Sequence, residues 1–134
     1  MKIEITHDTR ICDIQDAFRL DYPFLKLEFF PERHKWGEHT QGKYLDHSLY
    51  VYQVTGSIKD VTITLLPWLR TGVVEQMFQD KLGMPVQVFR RQGERWIETA
   101  GTDELSLFEQ NETGRKSLSG WNEVLWVERA KFMA

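Results

Sequence analysis

Three of the four histidines in this chain fall within one polar stretch, PERHKWGEHTQGKYLDH, where Glu32, His34, Glu38, His39, Asp46 and His47 follow one another closely. Imidazole and carboxylate together suit Zn²⁺ or Fe²⁺, and a loop can bend several such ligands toward one ion. His34, His39 and His47 are therefore the candidate metal ligands. Their spacing matches neither a helical HEXXH pair nor a Cys/His finger, and a solvated polar loop is the competing explanation.

A second group of reactive side chains lies in VQVFRRQGERWIET, residues 86–99, where Arg90, Arg91 and Arg95 accompany Trp96. With Gln92-Gly93 as the turn of a hairpin, Phe89 faces Trp96, Val88 faces Ile97 and Arg90 faces Arg95. Two opposed guanidiniums need a counter-charge. Glu28, Asp103 or Glu104 would supply it internally; otherwise Arg90, Arg91, Arg95 and Trp96 form a site for an anion or an acidic partner.

Near the C-terminus, Leu118, Trp121, Val124, Leu125 and Phe132 share one helical stripe, whereas Trp126 falls on the opposite, polar side with Arg129 one turn away. A tryptophan on a polar face is a common interface anchor, so Trp126 and Arg129 are candidate partner-binding residues. Cys12, the single cysteine, starts an amphipathic helix with no base near it in sequence. It reads as a small apolar residue rather than a nucleophile. No GXSXG, phosphate loop or dinucleotide fingerprint is present, which leans away from an enzyme and calls for no cofactor.

The elements that would position these groups follow from periodicity. KIEIT alternates as a strand, residues 11–20 carry Ile11, Ile14 and Phe18 at helical spacing behind Asp8 or Thr9, and FLKLEFF alternates again. The same order returns with DVTITLL, TGVVEQMFQDKLG and VQVFRR, where Val74 and Phe78 answer Ile14 and Phe18. SLYVYQV reads as a further strand, and TDELSLFEQNETG as a short helix capped by Thr102 and stopped by Gly114. The expected fold is an α/β two-layer domain with a mixed sheet of about five or six strands, two βαβ-like units (1–56 and 57–134) and C-terminal helices.

At 134 residues with a net charge of −3, the chain has the size of one domain and no overall field that would attract a nucleic acid. One cysteine forms no internal disulfide, and no apolar run approaches the length of a membrane span, so a cytoplasmic protein is expected.

The hairpin sequence, followed by TDELSLFEQNETG, resembles a group of small uncharacterised bacterial proteins with an arginine-rich hairpin, a Thr-Asp step and a Gln-Asn-x-x-Gly ending. The resemblance covers residues 71–114 and implies that this region matters to fold or function. It brings no activity, cofactor or partner. The functional expectation is a non-catalytic interaction or adaptor protein that binds a partner or itself. The alternative is a small metal- or anion-binding enzyme or ligand-binding protein, using the His34/His39/His47 loop or the Arg90/Arg95 pair.

Overall fold

Alternation in KIEI makes β1 (Lys2–Ile5), with Ile3 and Ile5 buried and Lys2 and Glu4 exposed. Helix α1 (Ile11–Asp21) buries Ile11, Ile14, Gln15 and Phe18, and the chain then extends as β2 (Leu25–Phe29). A five-residue helix, α2 (Val51–Thr55), precedes β3 (Val61–Thr64) and α3 (Thr71–Leu82). Gly83 ends α3 at φ +68°, the left-handed conformation in which glycine avoids the Cβ penalty. Strands β4 (Val86–Gln92) and β5 (Arg95–Glu98) form the hairpin, a 3₁₀ turn follows at Ala100–Thr102, and residues 107–118 are helical. The computed structural model describes residues 1–31, 44–57 and 59–118.

The chain is mixed α/β; the five strands among the described residues lie in two antiparallel sheets, β1-β3 and β2-β4-β5, rather than in one mixed sheet. The strand–helix–strand order occurs twice, as its periodicity suggests. What differs is the pairing. β1 and β2 each pair with the counterpart from the other half, β3 and β4, while β5 extends the second sheet by pairing with β4, so β1 and β2 belong to different sheets.

The registers make this correspondence specific. Ile3 faces Ile63 between β1 and β3, and Leu27 faces Val88 between β2 and β4. Both pairs join positions that correspond in the strand–helix–strand order of the two halves. Ahead of α1, Arg10 bridges Tyr50; ahead of α3, Arg70 bridges Ser106. The hydrogen bonds repeat too: Ile11 N to Leu49 O and Val51 N to Thr9 O in one half, Thr71 N to Leu105 O and Leu107 N to Leu69 O in the other.

Two elements depart from their sequence reading. SLYVYQV does not continue as a strand beyond the Tyr50 bridge; Tyr50 N–H donates to Gln53 Oε1 at 2.9 Å and starts α2, which buries only Val51. The late helix begins at Leu107 rather than after Thr102, because Ser106 and Glu109 cap it reciprocally: Glu109 N donates to Ser106 Oγ at 3.0 Å and Ser106 N to Glu109 Oε1 at 3.1 Å. The helix runs through Gly114 instead of stopping there. A Cβ on Gly114 would lie 2.9 Å from Phe24 Cβ and 3.0 Å from Phe24 O, so glycine lets the helix approach the segment leading into β2.

One apolar cluster joins the two halves, with Phe18, Phe29, Phe78, Leu27, Ile63, Val88 and Leu107 withdrawn from solvent. Burying each such side chain contributes about 1.5–3 kcal/mol. Phe29 meets Phe78 edge to face with ring centres 5.7 Å apart, which ties β2 to the opposite half's helix.

Candidate functional site

The hairpin turns at Gly93-Glu94, one residue later than its sequence suggests. Gly93 takes φ +60°, as the first central residue of a tight hairpin turn requires, and Gln92 faces Arg95. Arg90 therefore faces Ile97, Arg91 faces Trp96 and Phe89 faces Glu98. This corrects the expected Arg90/Arg95, Phe89/Trp96 and Val88/Ile97 pairs. The physical reason is that Phe89 finds other aromatic company, with its ring 6.1 Å from that of Tyr44.

Alternation then sends the arginines to different places. Arg90 points to the buried side, is 8% exposed, and donates from Nη1 to Gln92 Oε1 at 3.1 Å, while its Nε has no hydrogen-bond partner. No Glu28, Asp103 or Glu104 carboxylate pairs with it among the described residues. Arg95 is exposed. Arg91 shares its face of the sheet with Trp96, Phe89 and Lys26.

On that face Trp96 gathers cations from three elements. The guanidinium of Arg91 (β4) lies 4.5 Å from the indole centre, that of Arg19 (α1) 5.3 Å, and the ammonium of Lys26 (β2) 5.2 Å. Cation–π attraction holds each in place. Lys26 is also 3.7 Å from Glu28, a buried carboxylate that His47 Nε2 meets at 3.0 Å. Gln15 Nε2 lies 3.5 Å from the same carboxylate.

His47 is thus paired with Glu28, while its backbone oxygen accepts from Cys12 N at 2.9 Å. His34 and His39 lie outside the described residues, as do Trp126 and Arg129. Among the described residues no group of three or more His, Cys, Asp or Glu side chains is arranged to hold a metal ion.

The Gln-Asn-x-x-Gly ending has structural work at each named position. Gln110 Nε2 donates to Thr102 O and Oγ1, both at 2.8 Å; Asn111 Oδ1 accepts from Phe24 N at 3.0 Å; Gly114 admits Phe24. One turn on, Ser117 Oγ accepts from Gly93 N at 3.0 Å, which fastens the hairpin turn to the helix.

Between α3 and β4, Glu75 Oε2 accepts from Val88 N at 2.9 Å. Burial pushes the Glu75 carboxyl up to about 8, with Asp103 and Glu98 adding to the rise against the opposing Val88 hydrogen bond. Asp103 is raised as well, by burial, and its Oδ1 is enclosed without a partner.

Among the described residues, the large apolar side chains most exposed after Leu20 lie at the bridge before α3. Trp68 is 70% exposed and Phe108 59%, on backbone segments held together by Phe108 N to Pro67 O at 2.9 Å. Val73, in the first turn of α3, is also exposed. The corresponding place before α1 holds His7, Asp8, Tyr50 and Tyr52, which line an open cleft of about 580 Å³. There the Tyr50 and Tyr52 rings stack at 5.6 Å, and Arg10 caps the pair by donating to Tyr50 Oη at 2.9 Å. Comparison with protein-family models, curated proteins and solved structures finds no match for the chain. No described helix is long and apolar enough to cross a membrane.

Arg19, Lys26, Trp68 and Phe108 were not among the sequence candidates. Arg19 carried a usable signal, since it lies off the Ile11/Ile14/Phe18 stripe of α1. Trp68 carried only its position in a turn.

Proposed function

We propose that the chain is a non-catalytic interaction protein of the bacterial cytoplasm, binding a protein partner or a second copy through the face that carries Trp68 and Phe108. The observation that supports this reading is the adjacency of two large aromatic residues, 70% and 59% exposed, on hydrogen-bonded backbone segments. Aromatic side chains left in water are the anchors that protein interfaces bury at their centres. The cytoplasmic, bacterial setting rests on the single cysteine and on the sequence resemblance.

Light scattering over a wide concentration range, with cross-linking in cell extract, tests the proposal on the wild type and on a Trp68→Asp/Phe108→Ser variant. The wild type is expected to show a mass that rises with concentration or a defined cross-linked partner, and the variant to lose either while keeping its thermal midpoint. A strictly monomeric wild type whose cross-linking pattern the variant leaves unchanged would sink the reading.

A further inference from the structure

We infer that the Trp96 face of the hairpin sheet is a binding site for a diphosphate-bearing small molecule, held by Arg19, Lys26 and Arg91. The inference is independent of the Trp68/Phe108 surface. It begins with an electrostatic imbalance. Three cations from α1, β2 and β4 lie within 5.3 Å of one indole centre, so no two can be farther apart than twice that distance. Collected this closely, like charges repel one another.

Internal compensation is small. Lys26 alone has a carboxylate within ion-pair range, Glu28 at 3.7 Å, and that carboxylate is shared with His47 at 3.0 Å. Arg91 spends one N–H on the Glu94 backbone oxygen at 3.0 Å. Among the described residues neither Arg19 nor Arg91 has an ion pair. Their positive charge is therefore open to a ligand. Glu98, opposite Phe89, limits the cationic region to the Trp96 end of the face.

The donor types specify the anion. Guanidinium presents planar, forked N–H pairs that match two oxygens of one phosphate, whereas Lys26 adds a point charge. Three cations spread around one ring exceed what a single phosphate contacts from one side, and two linked phosphates span the set. The indole holds the side chains nearly in place before the ligand arrives, which reduces the ordering cost of binding.

Titration of the full chain with pyrophosphate, followed through the indole N–H resonance of Trp96 and by calorimetry, tests the site. Saturable binding is expected, with orthophosphate at least about tenfold weaker. Arg91→Gln and, separately, Arg19→Gln should each weaken pyrophosphate about tenfold, with unchanged thermal midpoints, while Arg95→Gln on the same hairpin should have no effect. Arg19 is exposed on its helix, so its replacement does not threaten folding. Absence of saturable binding, or equal weakening by Arg95→Gln, would overturn the assignment. Failure here would leave the association experiment untouched.

Discussion

The two halves of the molecule solve one folding problem with different residues at equivalent places. At the junction of helix and strand, the first half uses an amide: Gln15 Nε2 donates to Leu27 O at 2.8 Å. The second half uses an acid, with Glu75 Oε2 accepting from Val88 N at 2.9 Å. Leu27 and Val88 face each other across the sheet, so amide and acid flank one β pair from opposite sides. At the helix entrances the contrast is of another kind. Arg10 stacks on Tyr50 at 4.6 Å beside a cleft lined partly by His7 and Asp8, whereas Arg70 bridges Ser106 beside exposed Trp68 and Phe108. Shared backbone bonds with divergent side chains separate what the fold needs from what each half is free to specialise.

The largest effects belong to the shared part. Phe18 and Phe78 occupy equivalent positions in α1 and α3, and both are fully buried. Phe18→Ala and Phe78→Ala should each cost about 3–5 kcal/mol in chemical denaturation, since each removes a whole aromatic packing unit. A loss below about 1 kcal/mol in one half alone would break the equivalence.

Next comes a position with no counterpart. Only the second half extends its bridge into the long 107–118 helix, and Gly114 is where that helix meets Phe24. Gly114→Ala places a methyl 3.0 Å from a backbone oxygen that cannot swing away, so it should destabilise by about 1–3 kcal/mol despite the better helix propensity of alanine. A stabilised variant would show that the helix can lift from the strand.

Exchange of amide and acid gives the third effect, and it depends on pH. The Glu75 carboxyl rises from 4.5 to about 8 on folding, so the folded state takes up a proton between those values. Its contribution to stability is complete below about pH 4.5 and is lost as pH rises through about 8. Glu75→Gln, the first half's solution, should remove that slope and stabilise the protein at pH 8, with little change at pH 4.5. Gln15→Glu should do the reverse, because an ionised carboxylate cannot donate to Leu27 O and would lie beside Glu28. Urea melts from pH 4 to 9 check both; parallel curves for wild type and Glu75→Gln would show that Glu75 folds ionised.

Much of this comparison is legible in the sequence, because Ile3, Ile14 and Phe18 repeat as Ile63, Val74 and Phe78 and core spacing survives divergence. Strand partners were not legible. Alternation marks which residues of β1 and β2 are buried, yet buried faces alone do not say whether β1 lies beside β2 or β3. The hairpin register is not legible because QGE permits glycine at either central turn position, and the choice falls to Tyr44 and the Ser117 hydroxyl, both far away in sequence. The S-x-x-E cap at Ser106–Glu109 was present to be read and outcompetes Thr102. Among the candidate site residues, Arg91, Trp96 and His47 acquire specific partners. Arg19 and Lys26 join Trp96 only through tertiary packing, which no short spacing encodes.

The smallest effect on stability should come from the place where the halves differ most on the surface. Trp68 corresponds to Asp8, and at 70% exposure it contributes little to the core. Trp68→Asp gives the second half the first half's residue two positions before the cap of α3, where negative charge suits the positive end of the helix dipole. Its stability should stay within about 0.5 kcal/mol of wild type. If the interaction reading holds, association is nevertheless lost, because an anchor has become a charge that a partner would have to desolvate. Fluorescence melts and light scattering on the same sample separate the two quantities. A large fall in melting temperature would instead make Trp68 part of the fold, and would erase the distinction between a shared scaffold and specialised entrances at that position.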